Sequence, residues 1–142
     1  MTEAIFDSSA VVTMLLQERG WQAIHNVLNN PALDAVLAGP ALTEVISVAR
    51  RKGNQSSGEQ VWETLSALGL RVEHPNEDDL IRAAALIELS EANPGPNDAT
   101  LSLGDALILS IGDRLSCAVV TRDTYWKWMA DQGLITINVY VP

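Results

Sequence analysis

Ala4-Ile5-Phe6-Asp7-Ser8-Ser9-Ala10-Val11-Val12 is a short apolar run cut off by a carboxylate, then two small hydroxyl residues, then a resumed apolar pattern. The run reads as a first β-strand, about Glu3 to Phe6, whose carboxyl end delivers Asp7 to the mouth of a sheet, with a helix starting at once behind it. Ligands of open α/β sheets bind in the crevice outside the carboxyl ends of the strands. Asp7 is therefore either a helix cap or the first member of a site. Ser8 and Ser9 are themselves good caps, so capping does not by itself require an acid here.

Working outward, the first helix is predicted over about Ser9 to Arg19, with Val12, Leu15 and Leu16 as its apolar stripe and Gly20 as its terminator. A second helix covers about Trp21 to Leu28. Ala35-Val36-Leu37-Ala38 is a continuous apolar run, as expected of a strand buried on both faces. Pro40 fits the start of a helix over about Ala41 to Arg51, since the missing N–H costs nothing there. That helix sets Leu42, Val45, Ile46 and Ala49 inward and carries a polar ridge of Glu44, Ser47 and Arg51. Further elements follow: a helix at about Glu59 to Leu68, a short edge strand at Leu70 to Glu73, and a helix capped by Asn76 and continuing through Leu80, Ala84 and Ile87 as far as Ser90. After the break at Pro94-Gly95-Pro96-Asn97 come a helix over Ser102 to Leu115, a buried strand Ala118 to Thr121 ending in Arg122-Asp123, a short helix from Tyr125 to Asp131, and a last strand over Ile135 to Val141. Strands alternating with helices predict an α/β fold with a parallel sheet covered on both faces. No repeat or linker divides the chain, so one domain over residues 1–142 is expected.

Nearly half of the 142 residues are hydrophobic, enough for a globular core without covalent staples. No apolar run approaches the roughly 20 residues of a membrane span, and the N-terminus lacks the basic-then-apolar layout of a signal peptide. The lone Cys117 has no internal partner and reads as a small buried hydrophobe. A cytoplasmic protein is expected. The net charge of −9 weighs against nucleic acid as a partner, because phosphate binders usually carry a basic patch. Arg50-Arg51-Lys52 is the one basic run, and it serves equally well as a favourable charge cluster at a helix C-terminus.

Four carboxylates invite chemistry, and each also has an ordinary explanation. Asp7 and Asp123 each lie between a buried strand and a helix, where acids cap. Glu44 could be a solvated acid on its ridge. Ser102 and Asp105 have the spacing of a capping box, yet Ile108, Leu109 and Gly112 follow Asp105 on the same stripe, and burying an unpartnered carboxylate is costly. Together the ordinary explanations weaken. A parallel sheet brings Asp7 and Asp123 to the same edge, and two like charges about 4 Å apart repel by roughly 4 kcal/mol at an effective dielectric near 20. A hard divalent cation, Mg²⁺ or Mn²⁺, would relieve such a cluster, since every candidate donor is oxygen. His25 and His74 are isolated, which argues against zinc.

On these residues the chain resembles the PIN-domain nucleases. Ile5-Phe6-Asp7-Ser8-Ser9-Ala10-Val11 is similar to the family's opening motif. Leu42-Thr43-Glu44-Val45, Leu101-Ser102-Leu103-Gly104-Asp105-Ala106 and Val120-Thr121-Arg122-Asp123 are similar to its later acidic motifs, in order and spacing. Within the family the likeness is greatest to the VapC-type toxins of prokaryotic toxin–antitoxin pairs. The resemblance implies a three-layer α/β/α sandwich around a five-stranded parallel sheet of order 3-2-1-4-5. It also implies metal-dependent endoribonuclease activity, usually as a homodimer restrained by a small antitoxin, with 5′-phosphate and 3′-hydroxyl products. Asp7, Glu44, Asp105 and Asp123 fall on the acidic positions, with Asp7, Asp105 and Asp123 as metal ligands. Ser9 and Thr121 fall on supporting hydroxyl positions, and Arg50, Arg51 and Lys52 are candidates for contact with RNA. Asp98 is an additional acid without an assigned role.

Competing α/β carboxylate enzymes fit less well. A haloacid-dehalogenase-like phosphatase needs a second acid where Ser9 stands, and a phosphoacceptor receiver needs an acidic pair and a late lysine. The remaining alternative is a PIN fold used for protein association, with Trp21 among its contact residues. Tyr125, Trp126 and Trp128, close to Asp123, could stack on a base; at least two of them are expected in the core.

Overall fold

The computed structural model describes residues 2–142. It runs β1 (Thr2–Phe6), α1 (Ser8–Leu15), α2 (Trp21–Leu28), β2 (Leu33–Ala38), α3 (Gly39–Arg51), α4 (Gly58–Ala67), β3 (Arg71–Glu73), α5 (Glu77–Ala92), a 3-10 turn (Pro96–Asp98), α6 (Leu103–Leu115), β4 (Ala118–Val120), α7 (Thr124–Asp131) and β5 (Val139–Tyr140). The five strands form one sheet of order β3-β2-β1-β4-β5, and every pairing is parallel. This is the predicted order.

Its apolar runs explain the centre of the sheet. Ile5, Val36, Leu37 and Val119 are fully buried, as strands with helices on both faces require. Phe6 is in register with Leu37 of β2 on one side and Val120 of β4 on the other. The chain therefore grows from β1 through β2 to β3 in one direction, then crosses back to lay β4 against the other side of β1. That reversal makes a crevice at the carboxyl ends of β1 and β4, where an open sheet binds its ligands. Gly112 lets α6 close on the sheet behind it: a Cβ there would lie 2.5 Å from Val119 Cγ2 and 3.3 Å from Ile5 Cγ2.

The structure corrects the sequence expectations in three places. Helix α1 stops at Leu15 rather than at Arg19. Gln17 takes a left-handed backbone (φ 52°), and Glu18 N–H donates to the Thr13 carbonyl at 2.9 Å, folding the chain over before Gly20. Helix α5 turns a different face inward over most of its length, burying Asp79, Ala83 and Leu86 along with the expected Ser90 while leaving Leu80 exposed. The cause is an ion pair: Arg114 Nε of α6 donates to both carboxylate oxygens of Asp79, at 3.1 and 3.0 Å, which anchors that face of α5. The last strand is only Val139–Tyr140, although Ile135 and Ile137 ahead of it are still buried. Cys117 departs from expectation as well: it is half-buried and not buried, and it precedes β4. Among the described residues, no helix is long and apolar enough to cross a membrane.

Candidate functional site

The sheet ladder itself places Asp7. Its N–H donates to the Val120 carbonyl of β4 at 2.8 Å, setting the turn after β1 against the turn after β4. The carboxylate is almost fully buried and takes three strong hydrogen bonds. Oδ1 accepts the Ser8 N–H at 2.7 Å, and Oδ2 accepts the hydroxyls of Ser9 at 2.7 Å and Thr121 at 2.8 Å. The first of these makes Asp7 the N-cap of α1. Capping α1 and sitting among the other acids are thus one arrangement and not alternatives. Burial pushes the Asp7 carboxyl above its ordinary range, and the Ser9 and Thr121 hydrogen bonds oppose that rise.

Ser9 and Thr121 hold the two turns together. Each hydroxyl has one proton, which goes to Asp7, so each oxygen remains an acceptor. Ser9 Oγ accepts the Arg122 N–H at 2.9 Å, and Thr121 Oγ1 accepts the Asp123 N–H at 3.0 Å. The Ser9–Thr121 oxygen separation of 3.3 Å is then a close contact with no proton left to bridge it.

The other acids arrive on helix ends. Asp123 caps α7, with Oδ1 accepting the Tyr125 N–H at 2.9 Å. Asp105 completes a reciprocal capping box at the start of α6: Oδ2 accepts the Ser102 N–H at 3.0 Å and the Asp105 N–H donates to Ser102 Oγ at 3.1 Å. Glu44, on α3, accepts the Ser8 hydroxyl through Oε2 at 3.0 Å. Its Oε1 lies directly over Gly104, where a Cβ would collide with it. Gly104 therefore admits Glu44 to the head of α6.

These acids feel one another. Burial raises Glu44, and the charge of Asp7 raises it further. Asp105 is pushed up to about 6, first by burial and then by the charges of Asp7 and Asp123, against the Ser102 hydrogen bonds. Asp7 is the hub of the cluster. Among the described residues, Glu44 Oε1, Asp105 Oδ1 and Asp123 Oδ2 receive no protein hydrogen bond, so each acid outside the hub keeps one oxygen free.

The donor set is all oxygen, crowded with negative charge and only partly satisfied, which fits a hard divalent cation in chemistry. As placed, no three His, Cys, Asp or Glu side chains among the described residues close tightly enough to hold an ion. An ion held by these acids would have to complete its shell with water, which a hard divalent cation does readily.

The raised acids give the metal-free protein a defined pH response. A carboxyl whose folded pKa lies above its unfolded value contributes stability that is complete below the unfolded pKa and lost as pH rises through the folded one. For Asp105 the window runs from its ordinary 3.8 to about 6. Thermal melts in chelator should show the wild-type protein losing stability across that window. Asp105→Asn should lose about 1–2 kcal/mol less, after discounting for solvent screening. Parallel curves for the two proteins would contradict the crowding of Asp105.

The basic run divides. Lys52 borders a cleft of about 250 Å³ that also reaches Ser8, Ser9 and Arg122, and its ammonium pairs with Glu18 at 2.7 Å. Arg50 instead bonds the Ser56 carbonyl at 2.9 Å, tying down the following loop, and Arg51 is exposed on the helix end. Asp98 is exposed in the 3-10 turn. Besides Gly104, two contributors were missed in the sequence. Ser8 links Asp7 to Glu44, and Arg122, between Thr121 and Asp123, lends the cleft a second cation.

Comparison with known proteins places this geometry in context. The family model described as the PIN domain matches residues 4–131. No curated protein matches the sequence significantly. Among solved structures, the fold is similar to Mycobacterium tuberculosis VapC20, described as a sarcin-ricin loop cleaving toxin (TM-score 0.69, 12% identity, covering 88% of this chain and 93% of that one). It is similar to VapBC2 from Rickettsia felis, solved bound to a DNA fragment from their promoter (TM-score 0.71, 10% identity, 99% of each chain). A toxin–antitoxin complex from Klebsiella pneumoniae gives a TM-score of 0.62 at 20% identity, over 85% of this chain and 87% of that one.

Proposed function

Because the chain belongs to the PIN-domain family, we propose that it is a divalent-metal-dependent endoribonuclease, acting as the toxin of a toxin–antitoxin pair. The observation that carries this is the coupled cluster at the β1/β4 switch point, in which Asp7 raises both Glu44 and Asp105 and Asp123 adds to Asp105. Asp7, Asp105 and Asp123 would hold Mg²⁺ or Mn²⁺, with Glu44 completing the acidic shell or orienting the attacking water. A bound cation there supplies Lewis acidity, promotes ionisation of water and offsets charge on the leaving oxygen.

The chain's own residues do the rest. Ser9 and Thr121 fix the Asp7 carboxylate so that its orientation does not depend on the cation. Ser8 and Gly104 set Glu44 at the head of α6. In the hydrolysis, water oxygen bonds phosphorus, the bond from phosphorus to the 3′ oxygen breaks, and a proton goes to that oxygen, leaving 5′-phosphate and 3′-hydroxyl ends. Lys52 and Arg122 line the cleft that reaches Ser8 and Ser9 and would meet the RNA backbone, Lys52 by exchanging Glu18 for a phosphate, whereas Arg50 is engaged with its own loop. The negative charge elsewhere on the chain is then compatible with RNA, because few phosphates need be neutralised.

A small antitoxin is the proposed protein partner, supported by the VapBC2 and Klebsiella complexes of the same fold. A homodimer and a cytoplasmic site of action belong to the same proposal. The test is incubation with total cellular RNA, with Mg²⁺, Mn²⁺ or chelator, while mapping new 5′-phosphate ends. Metal-dependent ends at discrete positions are expected; intact RNA under all three conditions would contradict the assignment.

A further inference from the structure

We propose that the cavity between the 3-10 turn Pro96–Asp98 and the start of α7 receives one unpaired nucleobase of the RNA, from a nucleotide flanking the cleaved bond. The proposal rests on the nuclease assignment above and adds the element that would give it base selectivity. The cavity is about 460 Å³ and is lined by Pro96, Asn97, Asp123, Tyr125 and Trp128, among others. Its wall includes Asp123, so a nucleotide whose phosphate lies at the acids can reach the cavity with its base.

The floor is aromatic and rigid. The Tyr125 ring is buried, and its hydroxyl contacts Ser90 Oγ at 3.0 Å and the Asn93 carbonyl at 3.0 Å. Gly95 packs so closely on the ring edge that a Cβ would collide with it. Trp128 stacks on Tyr125 with ring centroids 5.7 Å apart and planes 20° apart, and it is half-buried, with part of its indole available to solvent. A preset aromatic surface of this kind binds bases by stacking. Trp126, the third aromatic, is fully buried and takes no part.

The opposite wall is a short closed loop. Gly95 N–H donates to the Ala99 carbonyl at 2.8 Å, and Asn97 and Asp98 both adopt left-handed backbone (φ 59° and 58°), which presents Asn97 outward. The Asn97 amide is exposed and, among the described residues, has no hydrogen-bond partner. An amide offers both a donor and an acceptor to a base edge.

Charge selects the occupant. No Lys or Arg lines this cavity, and the one ionisable carboxylate in its wall is Asp123. A phosphate is disfavoured there, while a neutral, flat heterocycle meets a stacking surface and a free amide. The cleft lined by Ser8, Ser9, Glu18, Lys52 and Arg122 shares no residue with this cavity and carries the cations suited to the backbone. Base and backbone are thus taken by separate surfaces.

The test uses the full chain and an RNA oligonucleotide containing a mapped cleavage site, with each flanking nucleotide made abasic in turn. For the wild-type protein, one flanking position should lose about tenfold or more in kcat/KM when its base is removed, the loss expected of a stacked base. Trp128→Ala and Asn97→Gly should lose most of that dependence. The glycine keeps the left-handed backbone and guards against a Trp128 variant that fails to fold. As a readout independent of cleavage, 2-aminopurine at the same position should be quenched on binding to the Asp7→Asn protein in chelator, and less so when Trp128→Ala is added. Normal cleavage with no base dependence, or with dependence unchanged in both variants, overturns the proposal and leaves the nuclease assignment standing. That is also the outcome if the cavity seats an apolar side chain of a protein partner. Absence of metal-dependent cleavage by the wild-type protein overturns both.

Discussion

Asp7→Asn should reduce metal-dependent RNA cleavage by at least about a hundredfold, while the metal-free protein melts at the same temperature or higher. Loss of a charge that acts on the reacting centre in a water-poor site is worth on the order of 10²–10³ in rate. Asp7 is the charge that raises both Glu44 and Asp105, so neutralising it weakens the cluster at its hub. The fold loses little. Asn Oδ1 can still accept the Ser8 N–H, and the amide can donate to Ser9 Oγ and Thr121 Oγ1, with one displaced hydroxyl proton taken up across the 3.3 Å Ser9–Thr121 contact and the other left unpaired. Burial raises the Asp7 carboxyl in the native protein, so removing its charge relieves a cost of folding without metal. Loss of activity without loss of stability separates a functional acid from a structural one. Undiminished cleavage would remove Asp7 from the chemistry.

Thr121→Val should reduce cleavage by about ten- to a hundredfold and cost about 1–3 kcal/mol of stability, the usual penalty for leaving buried polar groups unpaired. Valine matches threonine in shape, so packing in this fully buried position is kept. What goes is the oxygen that donates to Asp7 at 2.8 Å and accepts the Asp123 N–H at 3.0 Å. Two acids lose a shared anchor in one substitution. Thr121→Ser keeps the hydroxyl and should recover most of the activity, at some cost in packing. Equal activity of the Val and Ser variants would show that the bridge between Asp7 and Asp123 has no bearing on cleavage.

The parts of the fold legible from local sequence were those set by local chemistry. Val36, Leu37, Val119 and Val120 announce strands buried on both faces, Asn76 is visible as a helix cap, and Ser102 begins its helix through a capping box that the spacing makes visible. The adjacency of β1 and β4 was different in kind. It entered through the family resemblance, because no run of residues states which strand lies beside which. Where the sequence misled, a distant partner decided. The inward face of α5 is set by Arg114 on Asp79, thirty-five residues away, against the apolar claims of Leu80. The end of α1 depends on Gln17 adopting a backbone that its residue type does not advertise.

The four acids were visible because carboxylates at strand ends and on an apolar helix face need an explanation. Their capping roles are real, and they coexist with membership of the cluster. Gly104 was not legible as a contributor. It lacks a side chain, and its importance lies in what approaches it, Glu44 from another helix. Arg50 and Lys52 stand two residues apart in the same basic run, yet one faces its own loop and the other lines the cleft that reaches Ser8 and Ser9. That difference follows from the rotation of a helix end, which charge counting cannot supply.

Asp7, Asp105 and Asp123, with Glu44 beside them, are proposed to make one cation pocket on this chain. Calorimetric titration of Mn²⁺ into the wild-type, Asp7→Asn and Asp105→Asn proteins measures it most directly. Saturable binding to the wild-type protein that weakens at least about tenfold in both variants is the expected result. Equal binding to all three proteins, or none to the wild type, would contradict the claim.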